Sequence, residues 1–326
     1  MKFITYNNKW VYYILVQCFL WSICNGQDTT IYANKFFAPA TQPNKARIIG
    51  VNASMAATYT GMMLTLNQAW YSQYPRSKFH FYNDNSEWLQ IDKLGHTWTA
   101  YVESRYGWSL YNWSGIDDKK AIWLGGMTGF VGQTTIEILD GFSKKWGASP
   151  GDLAANTLGS GLFIAQQLLW NEQRIKMKFS SHPTRHTDQD INIQNRAKDL
   201  FGNNILERIL KDYNGQSYWF SFCPWSFSNN SNRRLQWLNV SIGYSVENIY
   251  GGYRNTWLYN NQAYDYSSLP RNREYFLSFD VDLERIKTKK KWAKTILYLL
   301  NIIKIPAPAL SINNEGVIKL YPFIYY

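Results

Sequence analysis

Three pairs of polar residues stand at helical spacing in stretches otherwise rich in Gly, Ala and Leu: Asp92 with His96, Glu137 with Asp140, and Asp152 with Asn156. Separations of three or four residues put both members of a pair on one helical face. A carboxylate or imidazole on an apolar helix is costly unless it is paired, ligated or used in chemistry. Three such pairs therefore point to one shared polar centre. One histidine among several carboxylates can bind a hard divalent metal, or act as an acid–base group on a phosphate or an ester. The candidate catalytic residues, and the candidate metal ligands, are His96, Glu137, Asp140 and Asp152, with Asp92, Lys93 and Asn156 as binding or orienting groups. Asp92, one turn before His96, is expected to fix the imidazole tautomer by accepting an N–H. Lys93 and Lys144-Lys145 could neutralise an anionic substrate. Plainer roles compete: Asp152 as a helix cap, Asp92 and Lys93 on a solvated face, Glu137 as a buried hydrogen-bond partner. Trp88, Trp123 and Trp146 either line a pocket or pack.

These residues need helices to carry them. Ile48 to Trp70 holds no charged residue and is flanked by Arg47 and Arg76, which suits a membrane span or a helix buried among others. A second helix is expected from about Asn85, with Asp84 and Glu87 as N-cap and N3 acid, to about Gly115. A third should start at Ser114-Gly115-Ile116-Asp117 and run unbroken to Leu139, with Gly141 as its stop. Gly125, Gly126 and Gly129 in it lower helix propensity but permit close helix approach. A fourth should start at Ser149-Pro150-Gly151-Asp152 and reach about Trp170. In an antiparallel bundle the ends of helices two, three and four that carry the polar pairs meet at one pole.

Beyond this the period changes. Ser180 to Arg196 is polar and reads as a linker, and Ile205 to Tyr213 as a short amphipathic helix. Leu238, Val240, Ile242, Tyr244 and Val246, and then Tyr275, Leu277, Phe279, Val281 and Leu283, alternate with polar or small residues, the mark of half-buried antiparallel strands. The aromatic ending Val317–Tyr326 reads as a terminal strand, and four to six strands are visible, fewer than the eight of the smallest membrane barrels. Lys287, Lys289, Lys290, Lys291 and Lys294 precede an apolar stretch, Ile296 to Ile303, which suits an interfacial helix or one packed on a sheet. The expected fold is α+β: about four antiparallel helices in a bundle, then an antiparallel β-meander or partial barrel. The expected division is 1–26 signal peptide, 27–180 helical domain, 181–200 linker and 201–326 β-rich region.

Residues 1–26 read as an export signal, with Lys2 and Lys9 before the apolar run Trp10–Ile23 and small residues ahead of Gln27. Lipidation would need Cys18 or Cys24 at the cleavage point, and neither Gln17 nor Ile23 is the small residue expected before it. After cleavage only Cys223 remains, which excludes a disulfide framework. The chain carries +11, and removing its two leading lysines leaves +9. A basic exported protein favours anionic lipid surfaces or acidic glycans over nucleic acid. Its 15 Trp, 24 Tyr and 17 Phe fit a membrane interface or a sugar-binding cleft as well as an aromatic-rich core.

Asp92-Lys93-Leu94-Gly95-His96, Glu137-Ile138-Leu139-Asp140-Gly141-Phe142-Ser143, Trp146-Gly147 and Gly151-Asp152 through Gly159 resemble the YfiM-like family of uncharacterised Gram-negative envelope proteins, domain-of-unknown-function family 2279, often labelled predicted periplasmic lipoproteins. The resemblance runs from about Phe79 to Ser180. The same skeleton resembles VanZ-like membrane proteins: Asp92, Lys93 and His96 as an opening motif, Glu137 as the glutamate, and Asp152, Asn156 and Gly159 as the last motif. The arginine those proteins carry before the last motif has no counterpart between Asp140 and Asp152. Neither family implies a reaction.

Two functions are expected to compete. One is a binding or structural component of the cell envelope, in the periplasm or at the outer membrane, in contact with membrane lipid or another envelope component. The other is an envelope hydrolase or transferase acting on lipid- or glycan-linked phosphate through His96 and the carboxylates, with a divalent metal as the candidate cofactor.

Overall fold

The computed structural model describes residues 36–69, 71–184, 186, 189–227 and 235–325. The expected signal peptide, with Cys18 and Cys24, lies outside the described residues. The chain mixes helix and sheet, with helices dominating the first half and a six-stranded antiparallel sheet the second.

Helix α1 spans Lys45–Ala69. Asn44 accepts from the Arg47 amide, and the Arg47 guanidinium reaches the carbonyls of Ala38 and Trp113 and stacks over the Trp113 ring. Two expectations for this stretch fail. It is not buried among other helices, since Ile49 and Leu64 are two-thirds exposed. Among the described residues no helix is long and apolar enough to cross a membrane.

The second helix does not begin near Asn85 with Asp84 as its cap. After a short turn at Glu87–Gln90, α2 covers Ile91–Trp113. Trp88, Leu89 and Gln90 all take left-handed backbone angles, which cost a side-chain-bearing residue about 1 kcal/mol each. Tertiary bonds hold them there: the Trp88 amide donates to Gly252, Tyr244 donates to the Leu89 carbonyl, and Arg273 donates to the Gln90 side chain. Asp84 is thereby left for the polar centre.

The expected single third helix is two. α3 spans Asp118–Gly126, capped by Asp117, and α4 spans Thr128–Gly141. At the break the Thr128 hydroxyl lies within hydrogen-bond reach of the Gly125 and Glu103 carbonyls. The glycines here are steric requirements: a Cβ on Gly125 would sit 2.1 Å from the Trp108 amide nitrogen, and one on Gly129 2.0 Å from the Ala100 carbonyl. α5, Pro150–Trp170, starts as the sequence predicts, with Ser149 accepting from the Asp152 amide and proline in the first turn. α2, α3 and α5 close over a core of Tyr101, Val102, Ile122, Phe163, Ile164 and Met177.

Strand β1, Ile175–Ser181, follows α5 directly. The stretch expected as a linker then carries helix α6, Ile191–Phe201, because Ile193, Ala197 and Phe201 repeat at helical spacing and are buried. α7 is Ile205–Lys211. The remaining strands are β2 (Gln216–Phe222), β3 (Leu238–Glu247), a small hairpin of β4 (Thr256–Tyr259) and β5 (Gln262–Asp265), β6 (Asn272–Val281), β7 (Ala307–Asn313) and β8 (Ile318–Tyr325). The large sheet has the order β1-β2-β3-β6-β7-β8, antiparallel throughout. Helix α8, Lys291–Leu300, connects β6 to β7, and the segment after it bonds to β1, with Phe179 donating to Ile302 and Lys304 donating to Phe179.

The alternation of polar and apolar residues in the strands is as expected, yet the enclosed face is the polar one. In β6, Glu274, Ser278 and Asp280 are buried while Tyr275, Leu277 and Phe279 are about half exposed. Inside, the Lys178 ammonium meets the Asp280 carboxylate at 2.7 Å with both side chains wholly buried, and Ser221 and Ser241 share a hydrogen bond. An ion pair meets the cost of such burial only when both charges are matched and hydrogen-bonded, and Lys178 also donates to the Val281 carbonyl.

Candidate functional site

The polar pairs meet where the N-terminal ends of α2 and α5 face the C-terminal end of α4. On α5, Asp152, Asn156 and Gly159 fall on one face. That face packs on α2 so closely that a Cβ on Gly159 would lie 2.1 Å from the Thr97 carbonyl. The contact brings His96 to Asn156, whose side-chain oxygen lies 3.1 Å from the imidazole Nδ1. Asn156 is therefore the residue that orients the imidazole, not Asp92 as the sequence suggested.

The other imidazole nitrogen, Nε2, is 3.8 Å from a carboxylate oxygen of Glu137 and 3.8 Å from one of Asp152. That is too long for a hydrogen bond. Two ligands at about 2.1 Å from one ion stand roughly 3.0–3.4 Å apart at octahedral or tetrahedral angles. The three ligand atoms all lie within 4.8 Å of one another, so a contraction of roughly 0.4–0.8 Å at the imidazole, and up to somewhat more than about 1 Å between other ligand atoms, would let His96, Glu137 and Asp152 share a cation. Glu137 is nearly buried, and its second oxygen accepts from the Ser149 amide at 3.1 Å. Burial first, and then the charges of Asp152 and Asp140, push the Glu137 carboxyl up to about 8. The C-terminal end of α4, with its partial negative charge, is a poor place for a carboxylate without a cation. Asp140, one turn on, accepts from the Tyr71 hydroxyl at 2.8 Å, and burial lifts it to about 6.

A second acidic triple, Asp84, Asp92 and Asp152, already holds a cation. The Lys93 ammonium lies 2.7, 3.0 and 2.8 Å from their oxygens. Burial alone would lower the lysine, but the three carboxylates outweigh it and hold it above its ordinary value. Asp92, largely shielded from water, is pushed up to about 6 even so. Asp84 also accepts from the Ser149 hydroxyl at 2.5 Å. Burial would raise Asp84, but the bonds from Lys93 and Ser149 prevail and leave it below the usual carboxylate range.

All seven residues singled out in the sequence therefore lie together, in two adjoining groups that share Asp152. Asp84 and Tyr71 belong with them and were not anticipated, since Asp84 mimics a helix cap and Tyr71 sits in a loop with no pattern. Glu137, Asp140 and Asp152 line a cleft of about 790 Å3. Trp88 and Trp146 line it too, as does Lys145; Arg196 and Lys211 come to it from α6 and α7. Trp123 is half exposed and not among the lining residues, and neither is Lys144. Asp84, Glu87 and Asp199 line the cleft as well, and His96 is not among the lining residues but stands behind Glu137 and Asp152. A cleft lined by carboxylates with basic and aromatic side chains among them can hold a cation together with an anionic ligand.

Comparison with curated proteins and with solved structures finds no match. Residues 80–167, the stretch from the end of the Tyr71–Phe79 loop through most of α5, match the model of a family described as predicted periplasmic lipoprotein (DUF2279), which supports an exported, periplasmic location.

Proposed function

We propose that the chain is an exported envelope protein whose cleft binds a divalent cation through His96, Glu137 and Asp152. Asp140 stands beside these ligands, and Asn156 orients the imidazole. The observation that carries this is the His96 Nε2 standing 3.8 Å from the carboxylates of both Glu137 and Asp152, which line the cleft. Oxygen-rich sets with one imidazole suit magnesium, manganese, calcium or zinc. Within this reading the ligand is an anionic, phosphate-bearing component of the envelope, held between the cation and the side chains of Lys145, Arg196 and Lys211. The export signal at 1–26, a bundle arrangement of the helices and the YfiM-like and VanZ-like motif skeletons belong to the same reading.

Metal analysis and titration calorimetry on the purified protein test it. The parent is expected to bind one equivalent of a divalent cation, and Glu137→Gln and Asp152→Asn to lose it. A parent that binds none, and melts unchanged with chelator, overturns the reading.

A second reading, hydrolysis or transfer at a lipid- or glycan-linked phosphate, is favoured by the cleft itself, because Glu137 and Asp140 line open space rather than a sealed contact. In hydrolysis a water oxygen would bond to phosphorus as the ester P–O bond breaks, with the water's proton passing to the Asp140 carboxylate and the Glu137 carboxyl, neutral at pH 7, giving its proton to the leaving alcohol oxygen. Release of phosphate or alcohol from phosphate-bearing envelope lipids, lost in Glu137→Gln, separates this reading from binding alone.

A further inference from the structure

The apolar face of the large sheet is covered on one side only. Over β1 and β2, Phe179 and Tyr218 pack against Trp98 of α2. On β3 the cover reaches Val246, which is buried against Ile91, and part of Tyr244, which bonds to Leu89. Beyond these, among the described residues, the same face is exposed at Ile242 of β3 and along β6, β7 and β8. Strand register lines its residues up across all four strands. Ile242 pairs with Leu277, Leu277 with Leu310, and Leu310 with Leu320. The next row is Tyr244, Tyr275, Ile312 and Ile318, and a third begins with Val240 and Phe279. No charged residue interrupts these rows.

We propose that this bare face seats in one leaflet of an anionic lipid bilayer. Three observations select lipid as the occupant. First, the buried polar side chains of these strands, such as Asn239, Ser241, Glu274, Ser278, Asp280 and Ser311, lie on the enclosed face, which leaves the outward rows apolar. Second, the depth fits. Three rows, each two positions along the strand from the next, span about 14 Å, which matches one leaflet of a hydrocarbon core about 30 Å thick and falls short of the roughly 25 Å band of a spanning barrel. Third, the charge at the rim is complementary. β6 leaves the face at Val281 and β7 returns to it at Ala307, and between them stands α8 with Lys290, Lys291 and Lys294 beside an exposed Trp292. Tyr298 fixes α8 to the body by donating to the Arg105 carbonyl, while Ile296, Leu299 and Leu300 stay exposed. Lysines and tryptophan at the edge of an apolar surface suit the headgroup layer of acidic lipids. At the opposite end the rows finish in Tyr244 and Tyr275, which stack edge-on.

This inference does not depend on the cleft, and its test is separate. The full chain is floated with vesicles of phosphatidylethanolamine, with and without phosphatidylglycerol, beside Leu277→Asp/Leu310→Asp and Lys290→Glu/Lys294→Glu. All four side chains are exposed, so both variants should fold, as circular dichroism and melting will check. Covering half of a Leu side chain gains about fivefold in partition. The aspartate pair should therefore float at least tenfold more weakly than the parent on either vesicle. The glutamate pair should weaken flotation only where phosphatidylglycerol is present. Any membrane affinity of the N-terminus is common to parent and variants and cancels in the comparison. An aspartate pair that is folded and floats like the parent overturns the proposal. So does a parent that ignores vesicles but forms a dimer in solution that the aspartate pair splits, since the occupant would then be a second copy.

Discussion

Replacing Lys93 by methionine removes the cation that holds Asp84, Asp92 and Asp152 together. The Lys93 ammonium is within 3.0 Å of an oxygen from each, and none of the four side chains is more than 17% exposed. Opposite charges about 2.8 Å apart attract by about 6 kcal/mol at an effective dielectric constant of about 20. Desolvation and repulsion among the carboxylates offset much of that. Breaking such a cluster from one side typically costs about 3–5 kcal/mol, because the remaining charges stay buried. The raised lysine contributes fully below the ordinary lysine value and fades only as pH rises through its higher folded value, so the whole effect is present at neutral pH. In Lys93→Met the carboxylates can relieve their repulsion by taking up protons, so the deficit should shrink as pH falls. Urea unfolding followed by tryptophan fluorescence measures this. The midpoint should drop by about 1–2 M at pH 7, by less at pH 5, and should recover in part with added calcium, since the three carboxylates offer ligand atoms within 4.8 Å of one another. An unchanged midpoint at pH 7 would refute the reasoning, because it would mean that the ammonium is effectively solvated.

Other consequences follow from the same geometry. Gly129→Ala forces a methyl into the Ala100 carbonyl and should cost about 2–3 kcal/mol, whereas Gly161→Ala, with nothing within 4 Å, should stabilise α5 by about 0.5–1 kcal/mol; paired denaturation curves distinguish the two. Burial lifts Glu103 to about 7 against hydrogen bonds from Gln133 and Tyr59 that pull it down. Its neutral form therefore favours folding below the ordinary glutamate range, and that benefit, at most about 3 kcal/mol, is lost as pH rises through 7. Glu103→Gln should flatten the dependence, seen as unfolding midpoints that converge with the parent's at low pH and exceed them at pH 8. His96→Ala should cost only about 1 kcal/mol, since it leaves one acceptor on Asn156 without its partner, and yet should abolish cation uptake; a large fall in melting with cation binding intact would assign His96 to structure instead.

The cluster was legible because its residues recur at helical spacing, and because one of the three helices that carry them, α5, caps at Ser149 as sequence rules say it should. Asp84 and the true start of α2 were not legible. Asp84-x-x-Glu87 is a plausible cap taken alone, and what prevails over it is distant: Gly252, Tyr244 and Arg273 hold Trp88, Leu89 and Gln90 left-handed. The break at Met127 was hidden for a related reason, since a run of glycines reads as weak helix whether or not a neighbouring backbone demands them. In the strands, the period of two told which residues share a face. It could not tell which face the fold would enclose, because alternation is symmetric between the two sides. That choice was made by long-range partners such as Asp280 for Lys178.

The position of β1 has a consequence for the order in which the chain can assemble. β1 follows α5 in sequence, yet one of its edges pairs with β2, some forty residues on, and the other meets Ile302 and Lys304, more than a hundred residues on. Closing such distant contacts is slow, because the chain entropy between them must be given up before the pairing is gained. A chain emerging from its N-terminus would therefore present β1 with a bare edge, next to already formed helices, until almost the last strand arrives. Such an edge is a template for pairing with other chains, so full-length synthesis, rather than the helical half alone, sets the moment at which this protein becomes safe from aggregation.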